Sequence, residues 1–289
     1  MLSYQHGYHA GNPADIHKHL TLIAVSQYLL KKEAGIHFFD THAGKGLYDL
    51  HDAQAQKRQE YVSGVSETIA HREKLTAADS SAQAWQHYFA ELDHLHRGAV
   101  SDTNLAKYPG SPHWVSSLRR GHDRHTVFEL HPGEHQALAE LNNNHTGFVV
   151  HGDGLAGVVR MLPAKTPRLL VLIDPAYELP TEYTDVATTV QDILKKSRHA
   201  VVLVWYPLLP ADKHLEMCEK LTSQLDAPVL QSEWVHKERT SDWGMYGSGV
   251  LIVNPPWQLD QQLAELFQPL AKALGKPTEH RLQHFNSSE

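Results

Sequence analysis

The chain has 289 residues, 41% of them hydrophobic, which is enough for one large α/β domain with a real core. A formal net charge of −7 argues against a sequence-independent coat on nucleic acid, because such binding rests on cations against phosphate, while leaving room for a local basic patch. Cys218 is the only cysteine, which excludes an internal disulfide and a cysteine-based zinc cluster; with no long apolar run and no apolar signal core before His19, a cytoplasmic protein without membrane association is expected.

The first residues, through Asn12 and Pro13, are rich in histidine, aromatics and glycine and form an arm or ordered loop. Asp15 is expected to cap a helix running to about Lys32, with Ile16, Leu20, Ile23 and Leu30 at its apolar positions and Lys18 and His19 in its first turns. Ile36–Asp40 reads as a first strand ending in a carboxylate. The turn Thr41-His42-Ala43-Gly44-Lys45-Gly46 that follows brings backbone close to a ligand, yet it lacks both the Walker pattern and the third glycine of a dinucleotide fingerprint. From about His51 to Lys107 the alternation of strand and helix lapses into a helical insertion, whose Trp85, Tyr88, Phe89 and Leu92 form its own core.

Tyr108-Pro109-Gly110-Ser111-Pro112 is a turn before a helix over about His113 to Arg120. Strand His125–Leu130, helix His135–Asn142, strand Phe148–His151 and a short helix reaching Met161 follow. The run Leu169-Leu170-Val171-Leu172-Ile173 is too short for a buried helix and typical of a strand buried on both faces of a parallel sheet; Asp174-Pro175 stops it. A helix over Tyr183–Lys196, strand Ala200–Trp205, a helix over Asp212–Leu225, two late strands at Val229–Val235 and Gly249–Val253, a closing helix over Gln261–Leu274 and a polar tail complete the chain. The order predicts one α/β domain over residues 1–289, with a mostly parallel doubly wound sheet, an antiparallel hairpin at one edge, and the helical insertion of residues 51–107 after the first strand.

Four strands in succession end in an acid: Asp40, Glu129, Asp153 and Asp174. Parallel strands share one carboxyl edge, so all four line one crevice, where open α/β sheets bind ligands. An acid after the second strand suits a ribose hydroxyl pair, and Asp153-Gly154 offers an acceptor beside approachable backbone. With no pyrophosphate fingerprint in the first turn, S-adenosylmethionine fits better than a dinucleotide. Asp174, the Pro175 carbonyl and the Tyr177 ring together suit a flat amine-bearing heterocycle. His17/His19 and His280/His284 have spacings a metal could use but no evident third ligand, so no catalytic metal is expected.

The chain resembles the RlmJ family of large-subunit ribosomal RNA adenine-N6 methyltransferases. The likeness is carried by Tyr4 to His9, Lys18-His19, Asp40-Thr41-His42-Ala43-Gly44, Tyr108-Pro109-Gly110-Ser111-Pro112, Glu129-Leu130-His131-Pro132, Asp153-Gly154, Asp174-Pro175-x-Tyr177-Glu178, Trp205-Tyr206-Pro207 and Asn254-Pro255-Pro256-Trp257. It implies a Rossmann-like fold and transfer of a methyl group from S-adenosylmethionine to adenine N6 in 23S rRNA by a monomer, on RNA free of ribosomal proteins. It further implies that Lys18, His19, His42, Ser111, Glu129, Asp153 and Gly154 hold the cofactor, that Asp174, Pro175 and Tyr177 act on the target base, and that Tyr4 and His6 meet the substrate. The family pattern Asp-Pro-Pro-Tyr here reads Asp174-Pro175-Ala176-Tyr177, which removes one φ restraint while keeping the carbonyl that accepts an amine proton. The residues by themselves leave RNA and DNA both open as the polymer, and Ala176 also admits a nucleic-acid-binding protein that keeps the fold without the catalysis.

Overall fold

A computed structural model describes residues 4–77, 82–141, 147–239 and 244–286. In chain order the elements are α1 (Pro13–Leu30), β1 (Ile36–Asp40), β2 (Leu47–Asp49), α2 (Ala53–Arg58), α3 (Val65–Ala70), α4 (Arg72–Thr76), α5 (Ala82–His96), β3 (Lys107–Pro109), α6 (Ser111–Leu118), β4 (Arg124–Glu129) and α7 (Pro132–Leu141). They continue as β5 (Phe148–His151), α8 (Gly154–Met161), β6 (Arg168–Ile173), α9 (Thr181–Lys196), β7 (Val201–Leu208), α10 (His214–Ser223), β8 (Val229–Val235), β9 (Gly247–Val253), α11 (Leu259–Leu274) and β10 (Glu279–Phe285). Asn142, where the sequence ends the seventh helix, lies outside the described residues.

The main sheet runs β10-β8-β9-β7-β6-β1-β4-β5. From β7 to β5 all pairs are parallel, and β7, β9, β8 and β10 pair antiparallel. The chain leaves β1 for β4 and β5 on one side and returns to β6 and β7 on the other. The switch point therefore lies between β1 and β6, which puts Asp40 and Asp174 at neighbouring strand ends.

The Leu-Val-rich run is a double-sided strand because side chains alternate across the sheet. Leu170 and Leu172 join the core under α1, α5, α6 and α11, whereas Leu169, Val171 and Ile173 join the core under α8, α9 and α10. Continuing the parity, Asp174 leaves β6 on the α1 side. By the same count Asp40, after Ile36 and Phe38, and Trp205, after Val201 and Leu203, emerge on that side as well.

The structure departs from the sequence reading in four places. The antiparallel hairpin β8-β9 is not the sheet edge: β10, built from what reads as a polar tail, pairs with β8 along Glu279–Phe285 and forms that edge. Residues read only as a turn form β3, which pairs with β2 and draws together the two ends of the helical stretch α2 to α5. The aromatics of α5 do not build a separate core. Tyr88 stacks on Trp114 of α6 at 5.0 Å, and Trp85 Nε1 donates to the Leu266 carbonyl of α11. Finally, Asn12 rather than Asp15 caps α1: its side-chain oxygen accepts from the Asp15 N–H, and Pro13 takes the first helical position, where a missing N–H costs nothing.

Candidate active site

Freed from capping, the Asp15 carboxylate is buried at the start of α1, one turn below Lys18. Lys18 Nζ lies 2.9 Å from Asp15 Oδ1 and 2.6 Å from Asp174 Oδ2. Asp15 Oδ2 accepts from the Gly11 N–H at 2.9 Å and sits 2.9 Å from His6 Nε2, while His6 Nδ1 is 2.9 Å from the Tyr4 hydroxyl. A continuous chain of polar contacts thus runs from the arm through His6, Asp15 and Lys18 to Asp174.

The electrostatics follow from burial. Burial alone would push the Lys18 ammonium down, but Asp15 and Asp174 outweigh it and hold it above its ordinary range. Burial would raise Asp15, yet His6 and Lys18 keep it well below the usual carboxylate range. Asp174 is raised, burial outweighing the Lys18 contact. Its Oδ2 is taken by Lys18; Oδ1 has no hydrogen-bond partner among the described residues.

Asp174 and Ala176 border a cavity of about 470 Å³, lined also by Tyr4, His6, Lys18, Glu60, Trp205 and Tyr246. Trp205 reaches it because Ile173 pairs with Val204, which sets the next residues, Asp174 and Trp205, side by side. Tyr177 is held elsewhere. In the left-handed region at φ 53°, it donates its hydroxyl to the Trp205 carbonyl at 2.7 Å and stacks on Tyr183 at 4.2 Å, outside the cavity wall. Such backbone strain in a non-glycine residue collects at functional sites.

A second cluster occupies the ends of β1, β4 and β5. Glu129 accepts from the Gly44 N–H at 2.8 Å and from the His131 N–H at 2.7 Å, so one oxygen of its carboxylate is fixed by each. Gly44 has φ 59°, and a Cβ there would strike the Tyr48 hydroxyl. Asp153 caps α8 by accepting from the Leu155 N–H at 2.9 Å and from the Ala156 N–H. A Cβ on Gly154 would collide with the Thr41 carbonyl, so the first turn and the α8 terminus touch backbone to backbone. His42 stands beside them with Nδ1 2.7 Å from the Thr41 hydroxyl, and burial lowers it to about 4.

Between the two clusters lies Asp40. Its Oδ2 accepts from the Ser111 hydroxyl at 2.6 Å and Oδ1 from the His42 N–H at 3.2 Å, and burial raises it to about 7 against both. His19 points away from solvent, with Nδ1 2.9 Å from the Tyr108 hydroxyl and Nε2 buried without a partner. His17, two residues earlier, is held between Ser248 and Ser232, and Ser232 also meets His280.

The residues expected to hold a cofactor therefore fall in two groups: His42, Glu129, Asp153, Gly154 and Ser111 along the β1-β4-β5 edge, and Lys18 and His19 on α1. Lys18, expected to hold a cofactor, is paired with two carboxylates of its own chain. Asp15 and Trp205 were missed as site residues, and Asp40 was placed at the crevice without a role. Asp15 stands three residues before Lys18, the spacing of a helical ion pair, which is the signal that could have found it. The donor set suits a nucleoside that carries an amino acid: Glu129 for a ribose pair, Asp40 for an ammonium group, and the orphaned His19 Nε2 for a further polar atom.

The family model described as ribosomal RNA large subunit methyltransferase D, RlmJ, matches residues 33–286. The chain is 32% identical to the ribosomal RNA large subunit methyltransferase J of Haemophilus influenzae over 275 residues, 95% of this chain and 94% of that one. It is 31% identical over 264 residues to the protein of the same name from Escherichia coli K12, covering 91% and 90%. A crystal structure of a protein from Legionella pneumophila strain Philadelphia 1 superposes with a TM-score of 0.85 at 28% identity, over 96% of this chain and 98% of that one. With the family model spanning most of the chain and the relatives matching nearly end to end, the chain belongs to the RlmJ family of large-subunit ribosomal RNA methyltransferases.

Proposed function

We propose that this protein transfers a methyl group from S-adenosylmethionine to the exocyclic N6 of an adenine in large-subunit ribosomal RNA. The observation that carries the reading is Asp174: a carboxylate only 13% exposed at the sheet's switch point, one oxygen tied to Lys18 and the other free beside a cavity of nucleoside size. Family membership supports the cofactor and the polymer; the choice of N6 rests on the chemistry of the site.

When bound, S-adenosylmethionine supplies an electrophilic methyl group on a sulfonium. Glu129 and Gly44 would hold its ribose end, His42, Asp153 and Gly154 would border its adenine, and Asp40, Ser111 and His19 would face its amino-acid end. An adenine amine is a weak nucleophile because its lone pair is delocalised into the ring. Asp174 Oδ1 and the Pro175 carbonyl accept its two N–H groups, which favours a pyramidal nitrogen and places an anion beside the developing positive charge. Asp174 then takes the departing proton. Lys18 fixes the carboxylate's rotamer, and Tyr4 and Trp205 offer ring surface to the base. Base stacking on an aromatic contributes about 1 to 3 kcal/mol. A base must leave its stack to enter, so looped or single-stranded RNA free of ribosomal proteins is the substrate of lower cost. The protein acts as a monomer in the cytoplasm.

The test is methyl transfer from labelled S-adenosylmethionine to protein-free 23S rRNA, beside a DNA control and Asp174→Ala, with the product nucleoside identified. N6-methyladenosine made by the wild type and lost in the variant supports the proposal. Cofactor binding without transfer would overturn it in favour of a binding protein whose motif is weakened at Ala176, and methylation of DNA alone would move the polymer.

A further inference from the structure

Behind Lys18 stands a second carboxylate, Asp15 Oδ1, 2.9 Å from Nζ. We propose that Asp15 is a positioning residue for methyl transfer: it anchors the far side of the Lys18 ammonium and binds His6 of the arm, so that Asp174 presents Oδ1 to the substrate. The inference rests on the reading of Asp174 as the group that receives the target amine.

Asp15 is 2% exposed and both of its oxygens are used. Oδ1 meets Lys18 Nζ; Oδ2 meets the Gly11 N–H and His6 Nε2. A helix cap requires none of this, because Asn12 already caps α1. A carboxylate buried this fully is retained only where charged partners compensate it, and here each partner leads into the site. Through Lys18 it reaches Asp174; through His6 it reaches Tyr4 and the cavity wall.

The chain of contacts also resembles a proton wire, and the charges decide against that role. Relay through Lys18 needs its transient deprotonation, and two carboxylates within 3 Å, at 2.6 Å and 2.9 Å, hold the proton on Nζ. The ammonium is a fixed cation shared by two anions. Asp15 sets how much of it Asp174 receives. Asp174 is faced by Lys18, Asp15 and His6 from α1 and the arm; Asp40 on β1 and the phenols of Tyr4 and Tyr177 also feel its charge.

The decisive variant is Asp15→Asn, which keeps an acceptor for the Gly11 N–H and removes the charge. Lys18 then belongs to Asp174 alone and a neighbouring anion is gone, so the Asp174 carboxyl titrates at lower pH. The experiment follows the Asp174 carboxyl by carbon-13 NMR in aspartate-labelled protein, assigned with Asp174→Asn. In parallel it measures kcat and KM against pH, cofactor affinity by calorimetry, and thermal unfolding. The expected result for Asp15→Asn is a downward shift of the Asp174 midpoint, with kcat reduced about 10- to 100-fold through lost alignment and cofactor affinity retained. Asp15→Glu, which restores the charge, brings the midpoint back toward wild type. An unmoved midpoint in a folded Asp15→Asn protein overturns the proposal, as does a kcat that recovers fully under conditions restoring thermal stability. A moved midpoint in a protein whose wild type methylates no nucleic acid refutes the functional reading, and with it a role in methyl transfer, while leaving Asp15 as the group that sets the Asp174 carboxylate.

Discussion

Replacing Lys18 with methionine isolates the charge balance at the centre of the site. Lys18 is 6% exposed between Asp15 at 2% and Asp174 at 13%, with contacts of 2.9 Å and 2.6 Å. At an effective dielectric of about 20 each contact is worth about 6 kcal/mol of attraction. Most of that offsets the desolvation of three ions, and truncating one partner of such a buried set costs about 3–5 kcal/mol. The cost should depend on pH with a defined sign. In the wild type Asp15 lies below its ordinary range, so its stabilisation is present at neutral pH and is lost only as the pH falls through that depressed value. Asp174 is raised, so its charge already opposes folding at neutral pH and the opposition is relieved on acidification. Without Lys18 both carboxyls titrate higher, and the variant's deficit is largest near pH 8 and shrinks toward about pH 5. Urea unfolding of both proteins across that range measures it. A deficit below about 1 kcal/mol at pH 8, the size of a surface pair, or one that stays flat with pH, would refute the account of a buried cation shared by two carboxylates.

Three further outcomes are expected. Glu129→Gln leaves one of the Gly44 and His131 N–H donors facing an amide N–H₂, and cofactor affinity measured by calorimetry falls by about 1–3 kcal/mol, which is about five- to 150-fold. Gly154→Ala drives a methyl into the Thr41 carbonyl, which costs about 1–3 kcal/mol in thermal or urea unfolding and weakens cofactor binding with it. Tyr177→Phe removes the hydrogen bond to the Trp205 carbonyl, destabilising by about 1 kcal/mol while methyl transfer persists, whereas Trp205→Leu raises KM for RNA by removing ring surface from the cavity.

The parallel half of the fold was legible because strands buried on both faces leave unbroken apolar runs, as Leu169 to Ile173 do, and because each ends in an acid or a turn. β10 was not legible: as an edge strand it alternates His280 and Leu282 with charged neighbours and exposes half of itself. β2 and β3 are three residues each and owe their existence to pairing with each other across the insertion. Within the site, Asp40, Glu129, Asp153 and Asp174 could be placed at one edge from strand order alone. The partners of Lys18 could not. They depend on the rotation of α1 over the sheet, a tertiary fact, and the cap was misassigned because Asp15 is as good a capping residue as Asn12 until Pro13 is given the first helical position. Tyr177 shows the same limit, since its ring direction follows from a left-handed backbone that no spacing encodes.

α1 carries a further consequence in its consecutive polar residues. Asp15 faces the arm, His17 is gripped by serines of β8 and β9, Lys18 faces β6, and His19 faces β3 through Tyr108. Four directions around one helix are each keyed to a different partner, so a slide of one turn or a rotation of a fraction of one would unmatch all of them at once. The helix therefore serves as a fixed axle. Its amides should exchange with solvent only on global unfolding, and through Asp15 the same axle holds His6 and, behind it, Tyr4 of the arm.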